Sequence, residues 1–245
     1  MSPDDSAEAR VCDLDFIPQP MITHYEQELT ELRQKLLTMA GHAEQAVTRA
    51  VRSLTERDSD LAGQVQRDDD VLDQFEIEMD DHAIRLLAKA PLASDLRFVA
   101  MTMKISHELE RVGDGAVTIA RRAVELNQSA PLKAYVDIPR MSDIGLGMLR
   151  DALEAFINHG SAQAMAIIPR DKEVDELNRQ LHRELAGFMV ERPAMISLCL
   201  HLMTVSKTLE RIADHAKNIA EDVVYLYEGR DVRHPGQGIK QGILG

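Results

Sequence analysis

The sequence predicts an all-α fold of two tandem, homologous three-helix bundles, with six long antiparallel helices related by internal duplication. Three observations predict it. The 9 prolines leave long proline-free stretches, which long helices require. Apolar residues recur in alternating steps of three and four, the spacing of one helix face. The segment around residue 110 recurs 100 positions later, which indicates the duplication.

The first three helices follow from this spacing. Apolar or small residues alternate in steps of three and four over residues 22–54, which predicts one long amphipathic helix. The polar run at 57–60 interrupts the pattern and offers capping side chains. A second helix is therefore expected over residues 61–90. The third carries an apolar stripe over residues 105–126, and residues 127–131 are expected to close it.

The second half of the chain repeats the first. Residues 110–120 align with residues 210–220, and the pattern Asp69-x-x-x-Asp73 recurs as Asp171-x-x-x-Asp175. A repeat of this length allows each copy to bury a core of its own. The predicted organisation is a flexible tail over 1–20, a first bundle over 21–131, a second bundle over 138–230 and a C-terminal tail over 231–245.

Composition and charge exclude several functions. A net charge of −13 over 245 residues opposes binding to nucleic acid. Cys12 and Cys199 are too far apart in sequence to form a disulfide framework, which fits a reducing compartment. The longest apolar stretch, at 193–205, is shorter than the roughly 20 residues needed to cross a bilayer. Residues 1–20 lack the pattern of a signal peptide. We therefore expect a cytoplasmic protein that does not insert into a membrane.

Pairs of carboxylates at helical spacing are the candidate functional residues. Like charges four residues apart share a helix face and repel, so their repetition in both halves calls for an explanation. The pairs fall beside the apolar seams, and the two pairs of each bundle are expected to converge into a solvent-reachable patch. The candidate metal ligands are Asp69 and Asp73, Glu110 and Asp114, Asp171 and Asp175, and Glu210 and Asp214.

Four oxygen donors in one patch can bind Mg²⁺, Mn²⁺, Fe or Ca²⁺ and can bridge two ions. Two alternatives stay open. Chance pairing on exposed helices would leave a metal-free helical scaffold, and bridged ions that activate water would make a metal-dependent phosphohydrolase. The absence of Glu-x-x-His counts against a ferritin-like di-iron site. His215 follows Asp214, but its counterpart is Gly115, so a shared ligand role is not expected.

Four motifs make the chain similar to the PhoU family. They are Pro91-x-Ala93-Ser94-Asp95-Leu96-Arg97, Leu109-Glu110-Arg111-Val112-Gly113-Asp114, Leu209-Glu210-Arg211-Ile212-Ala213-Asp214, and the terminal Tyr227-x-x-Gly229-x-x-Val232-Arg233-His234. The resemblance covers about residues 22–234. Ala213 and Gly115 depart from it, because the family usually has Gly and a polar residue there, respectively.

The resemblance implies a cytoplasmic, non-enzymatic protein that negatively regulates phosphate uptake and phosphate-starvation signalling. It implies two partners: the ATPase subunit of the phosphate ABC transporter and the sensor histidine kinase of a two-component system. It also implies that the four carboxylate pairs hold iron or zinc, with manganese or magnesium as alternatives. The long exposed helices suggest a homodimer.

Overall fold

The computed structural model describes residues 24–89, 92–130 and 137–233, and this part of the chain contains no strand. The predicted tail over 1–20, most of the C-terminal tail and the linker at 131–136 lie outside the described residues. The helices are α1 (His24–Thr55), α2 (Ser59–Arg67), α3 (Asp70–Leu87), α4 (Ala93–Asn127), α5 (Asp137–Ile157), α6 (Ser161–Ile167), α7 (Asp171–Glu191) and α8 (Ile196–Glu228).

The helices form two groups around two central helices. α1, α2 and α3 pack against α4, whereas α5, α6 and α7 pack against α8. α4 and α8 also pack extensively against each other, so the buried apolar residues form one continuous core. The predicted all-α fold with two related bundles is confirmed. None of the described helices combines the length and the apolar character that crossing a membrane requires.

The second helix of the first bundle is not continuous, although the sequence pattern predicted a single helix over 61–90. α2 ends at Arg67 and α3 begins at Asp70. At the break, Arg49 of α1 donates a hydrogen bond from Nη1 to Asp68 at 2.8 Å. This exposed contact joins α1 to the residue at which α2 ends. The side chain of Asp69 makes no capping hydrogen bond there.

The corresponding helix of the second bundle is interrupted in the same way. A 3₁₀ turn over Ile168–Arg170 separates α6 from α7. Pro169 lies inside this turn, and proline cannot donate the backbone hydrogen bond that a continuous helix needs. Arg170 pairs with Asp151 of α5. In each bundle, the helix that follows the break therefore begins at or next to the first aspartate pair: α3 begins at Asp70 and α7 at Asp171.

The predicted turn before α2 also closes the end of α4. Arg57 has a φ of 60°, and its Nη2 donates to the carbonyl oxygens of Asn127 and Ser129, both at 2.6 Å. The Asn127 carbonyl belongs to the last turn of α4 and has no intrahelical donor, and Ser129 lies two residues beyond the helix end. The next residue, Asp58, accepts from the backbone N–H of Leu61 at 2.9 Å and caps α2. One turn thus starts one helix and ends another.

The interface between α4 and α8 places corresponding residues of the two halves opposite each other. A Cβ atom at Gly115 would lie 3.2 Å from the Ile212 side chain and 3.3 Å from that of Thr208. His215 Nδ1 donates to Glu108 at 2.6 Å. Residues 108 and 208 correspond, as do 115 and 215, so one contact is polar and its counterpart is close-packed. A side chain at position 115 would therefore have to displace Ile212 or Thr208.

Candidate metal centres

The structure brings the two carboxylate pairs of each bundle together. We call the group of Asp69, Asp73, Glu110 and Asp114 the first centre, and the group of Asp171, Asp175, Glu210 and Asp214 the second centre. In the first centre, burial and the negative charges of Asp73 and Asp114 raise the pKa of the Asp69 carboxyl. Burial, Asp114 and Glu76 likewise raise the pKa of Glu110. Mutual repulsion of this kind shows that the charges converge.

The two centres differ in their access to solvent. Asp73 and Asp114 of the first centre are exposed, as the sequence pattern predicted. In the second centre, Asp171 is only 6% exposed and Glu210 only 8%. The expected solvent-reachable patch is therefore wrong for Asp171 and Glu210, whereas the Asp214 side chain is 44% exposed. The physical reason is that α7 and α8 pack closely there and lysine side chains lie against the carboxylates.

A histidine and a further glutamate lie beside the first centre. Ligand atoms of Glu76, His107 and Glu110 lie within 4.8 Å of one another. His107 Nδ1 and Glu76 Oε1 are 2.8 Å apart, and Arg111 Nε donates to His107 Nε2 at 3.1 Å. Because arginine can only donate, Nε2 accepts in this contact. Neutral imidazole is a metal ligand, so His107 adds a nitrogen donor beside the carboxylates.

Sequence reasoning missed Glu76 and His107. His107 precedes Glu110 by three residues and so shares its helix face, which was an available signal. Glu76 comes from α3, and nothing in the spacing of α4 indicates that it approaches.

Two lysines neutralise part of the second centre. Lys217 Nζ donates to Asp171 Oδ2 at 2.9 Å and lies 3.9 Å from Asp214. Lys207 Nζ donates to Glu210 Oε1 at 2.6 Å. The hydrogen bond to Asp171 raises the pKa of Lys217, so this ammonium stays charged. Among the described residues, no lysine pairs with a carboxylate of the first centre.

Negative charge nevertheless remains in the second centre. The pKa values of Asp175 and Asp214 are raised, first by burial and then by the charges of Asp171 and Glu210. Oδ1 of Asp171 is buried and meets no hydrogen-bond donor in the described part of the chain. A buried carboxylate oxygen without a donor is costly unless a water molecule or a cation satisfies it.

The donor chemistry of both centres therefore fits a metal ion. The first centre offers carboxylates together with an imidazole, and the second offers carboxylates that include the unpartnered Asp171 oxygen.

The first centre opens onto a cavity of about 550 Å³ at the junction of the two bundles. Its walls come from α4 and α8, together with Asp69. Charged side chains of both signs line it, including Arg111, Arg121 and Arg211. Solvent and ions can therefore reach the first centre from a polar space.

The fold and the two centres define a class of protein: two homologous three-helix bundles whose packed central helices each carry a carboxylate pair at the corresponding position. Within that class, the PhoU domain matches residues 36–123 and 138–223. The chain belongs to the PhoU family.

Relatives of this family match nearly the whole chain. The phosphate-specific transport system accessory protein PhoU homolog of Pseudomonas putida is 41% identical over 228 residues, which cover 90% of this chain and 89% of that protein. The crystal structure of PhoU from Pseudomonas aeruginosa has a TM-score of 0.81 at 38% identity, covering 84% of this chain and 100% of that one. The structure of the phosphate transport system regulatory protein PhoU from Streptococcus pneumoniae has a TM-score of 0.78 at 30% identity, covering 85% and 99%.

Proposed function

We propose that the protein is a cytoplasmic, non-enzymatic regulator that represses phosphate uptake and phosphate-starvation signalling when phosphate is plentiful. One observation carries the proposal. Similarity to accessory and regulatory proteins of phosphate transport extends over both bundles, with 90% of this chain aligned to the Pseudomonas putida relative. The similarity covers both bundles rather than one, so the proposed role is that of the whole two-bundle protein.

The regulator acts by docking on two partners, the ATPase subunit of the phosphate ABC transporter and the sensor histidine kinase. Different outer faces on the two bundles support this. On α3, Ile77 and Ile84 lie two turns apart and are each 58% exposed. On α7, the outward side chains include Arg179 and Arg183. Rigid helix faces of different chemistry can recognise two different partners.

Purified proteins test the docking. The full chain is immobilised, and binding of the ATPase subunit and of the kinase's cytoplasmic part from the same genome is measured by biolayer interferometry. Two double variants are compared: one carries Ile77→Ser and Ile84→Ser on α3, and the other carries Arg179→Ser and Arg183→Ser on α7. Each double variant is expected to weaken one partner at least tenfold and to leave the other within twofold. Failure of the parent chain to bind either partner would contradict the proposal.

Deletion of the gene tests the regulatory role in cells. A reporter of a phosphate-starvation promoter is expected to become active in phosphate-rich medium and to be silenced again by the parent gene. A reporter that stays silent in the deletion strain counts against repression by this protein.

Metal binding through all eight carboxylates of the two centres belongs to the same proposal, with iron or zinc first and manganese or magnesium as alternatives. A bound cation would offset the repulsion that raises the pKa values of Asp69 and Glu110. Elemental mass spectrometry on protein purified without chelator or nickel tests it. More than one metal per chain is expected, with loss in the Asp114→Asn, Asp214→Asn variant. Phosphatase activity that needs Mn²⁺ and disappears in the same variant would instead indicate a metal-dependent phosphohydrolase.

The homodimer also stays a proposal, supported by the length of the helices whose outer faces are exposed. Sedimentation velocity of the full chain is expected to show a species of twice the 27.4 kDa chain mass. A monomer across the micromolar range would contradict it.

A further inference from the structure

We infer that the two centres are unequal: the first centre, completed by Glu76 and His107, binds a transition-metal dication tightly, whereas Lys217 competes with metal at the second. The inference rests on the metal binding proposed above, and it concerns residues outside the eight carboxylates. It predicts that the centres fill in order as the metal concentration rises, the first centre before the second.

The first centre offers a nitrogen ligand at a position that solvent reaches. Imidazole favours Zn²⁺, Fe²⁺ and similar ions over Mg²⁺ and Ca²⁺, which prefer oxygen alone. One ligand atom of His107, one of Glu76 and one of Glu110 all lie within 4.8 Å of one another. The His107 ring also contacts Arg111, an exposed side chain beside the solvent-accessible cavity. Metal binding therefore replaces contacts of the His107 ring with Glu76 and Arg111 at a site that solvent reaches.

The second centre already contains cations of its own. Lys217 forms a hydrogen bond with Asp171, a carboxylate that is only 6% exposed, and lies within 4 Å of Asp214 as well. A dication must push this ammonium away from a buried counter-charge, and until it does the two positive charges repel. Oδ1 of Asp171 still lacks a donor among the described residues, so a place for metal remains. The second centre binds metal, but more weakly.

A comparison of the two halves shows which residues beside the carboxylates differ between the first and the second centre. The carboxylates occupy corresponding positions on α4 and α8, but position 107 is histidine where position 207 is lysine, and position 117 is valine where position 217 is lysine. The two halves of one molecule therefore provide matched sites, and single substitutions can convert the surroundings of one into those of the other.

A zinc titration of the full chain tests the inference. Metal is removed by chelation, its absence is verified by elemental mass spectrometry, and Zn²⁺ is added in competition with a chromophoric chelator. Two classes of site are expected, with dissociation constants at least tenfold apart. Glu110→Gln with Asp114→Asn is expected to abolish the tight class, and Glu210→Gln with Asp214→Asn the weak class.

Two further variants each introduce the residue that the other half has at the corresponding position. Lys217→Val is expected to strengthen the weak class at least tenfold. His107→Lys is expected to weaken the tight class at least tenfold for Zn²⁺, with a smaller change for Mg²⁺. Lys172→Val is the matched control, because it removes an exposed lysine of α7 that forms no ion pair among the described residues. In this control, the zinc affinity of the weak class of sites should stay within twofold of that in the parent protein. Circular dichroism and thermal midpoints confirm that each variant folds.

Several results would overturn the inference. They are equal affinity of the two classes, loss of the tight class in the second-centre variant, no gain in Lys217→Val, and no zinc binding at all. Partner docking is measured on separate samples, so failure here is distinguishable from failure of the regulatory role.

Discussion

Glu110 and Glu210 occupy corresponding positions but different electrostatic surroundings. Glu110 lies among other carboxylates, and burial followed by the charges of Asp114 and Glu76 raises its pKa. Glu210 is repelled by neighbouring acids as well, but it also forms an ion pair with Lys207. A substitution that removes the charge therefore has different consequences at the two positions.

We predict that Glu110→Gln stabilises the metal-free protein by about 0.5 kcal/mol, which is the size of a like-charge helix pair. The corresponding rise in thermal midpoint is roughly 1–2 °C. Glu210→Gln should give no gain, because relief of repulsion is offset by loss of the Lys207 pair. Differential scanning calorimetry in the presence of a chelator measures both changes.

The pH dependence provides the check. A carboxyl whose folded pKa lies above its unfolded value destabilises the fold increasingly as pH rises from the unfolded to the folded pKa. The gain from Glu110→Gln should therefore be complete above the folded pKa and vanish below the unfolded one. A gain that is independent of pH would show that removal of the charge is not its cause.

The sequence pointed to the carboxylate pairs because the two halves share them, and metal binding by these pairs stays a prediction. The sequence did not point to His107 or Lys217, because each is present in only one half and its counterpart is Lys207 or Val117. Glu76 required knowledge of how α3 packs on α4, and helical spacing within one segment does not contain that information.

At the scale of the helices, the periodicity located most ends within a few residues. The first helix was expected over 22–54 and is found at His24–Thr55, and α4 ends at Asn127, where closure was expected. The break at 68–69 was missed because neither glycine nor proline marks it. Arg49 of α1 contacts Asp68 at the break, and helical spacing within one segment does not predict such a contact. In the second bundle, Pro169 did mark the break.

We predict that the turn at Arg57 limits the stability of the first bundle. Arg57→Ala removes two charged hydrogen bonds to the end of α4 and keeps a strained φ of 60°, so it should cost about 2 kcal/mol. Arg57→Gly loses the same bonds but relieves the left-handed backbone, which is worth roughly 1 kcal/mol. Glycine should therefore be less harmful than alanine.

Urea denaturation of both variants measures these costs. Arg52→Ala serves as the control, since it removes an exposed arginine whose ion pair with Glu56 lies within one helix turn. That change should cost less than about 0.5 kcal/mol. If Arg57→Gly were as unstable as Arg57→Ala, the positive φ would not be a source of strain.

At the scale of the whole molecule, the packing of α4 on α8 joins the two bundles into one core. Corresponding positions of the two halves make different contacts at this interface. Glu108 meets His215 in a polar contact, and the corresponding positions hold Thr208 and Gly115 in close apolar packing. The two helices are therefore close-packed at Gly115 and Thr208, and they are joined by a hydrogen bond at Glu108 and His215.

This arrangement predicts strong coupling between positions 115 and 208. Gly115→His alone should destabilise the protein by about 1–3 kcal/mol, because a Cβ there already lies 3.2 Å from Ile212. Thr208→Glu alone should also destabilise it, because Thr208 is only 8% exposed and the new charge has no partner. The double variant recreates the Glu108 and His215 pair on the opposite side of the interface. Denaturant melts of all four proteins should give a favourable coupling energy of at least about 1 kcal/mol. Additive costs would mean that the interface cannot separate enough to accept the second pair, and that its close-packed side, rather than its polar side, sets the distance between the bundles.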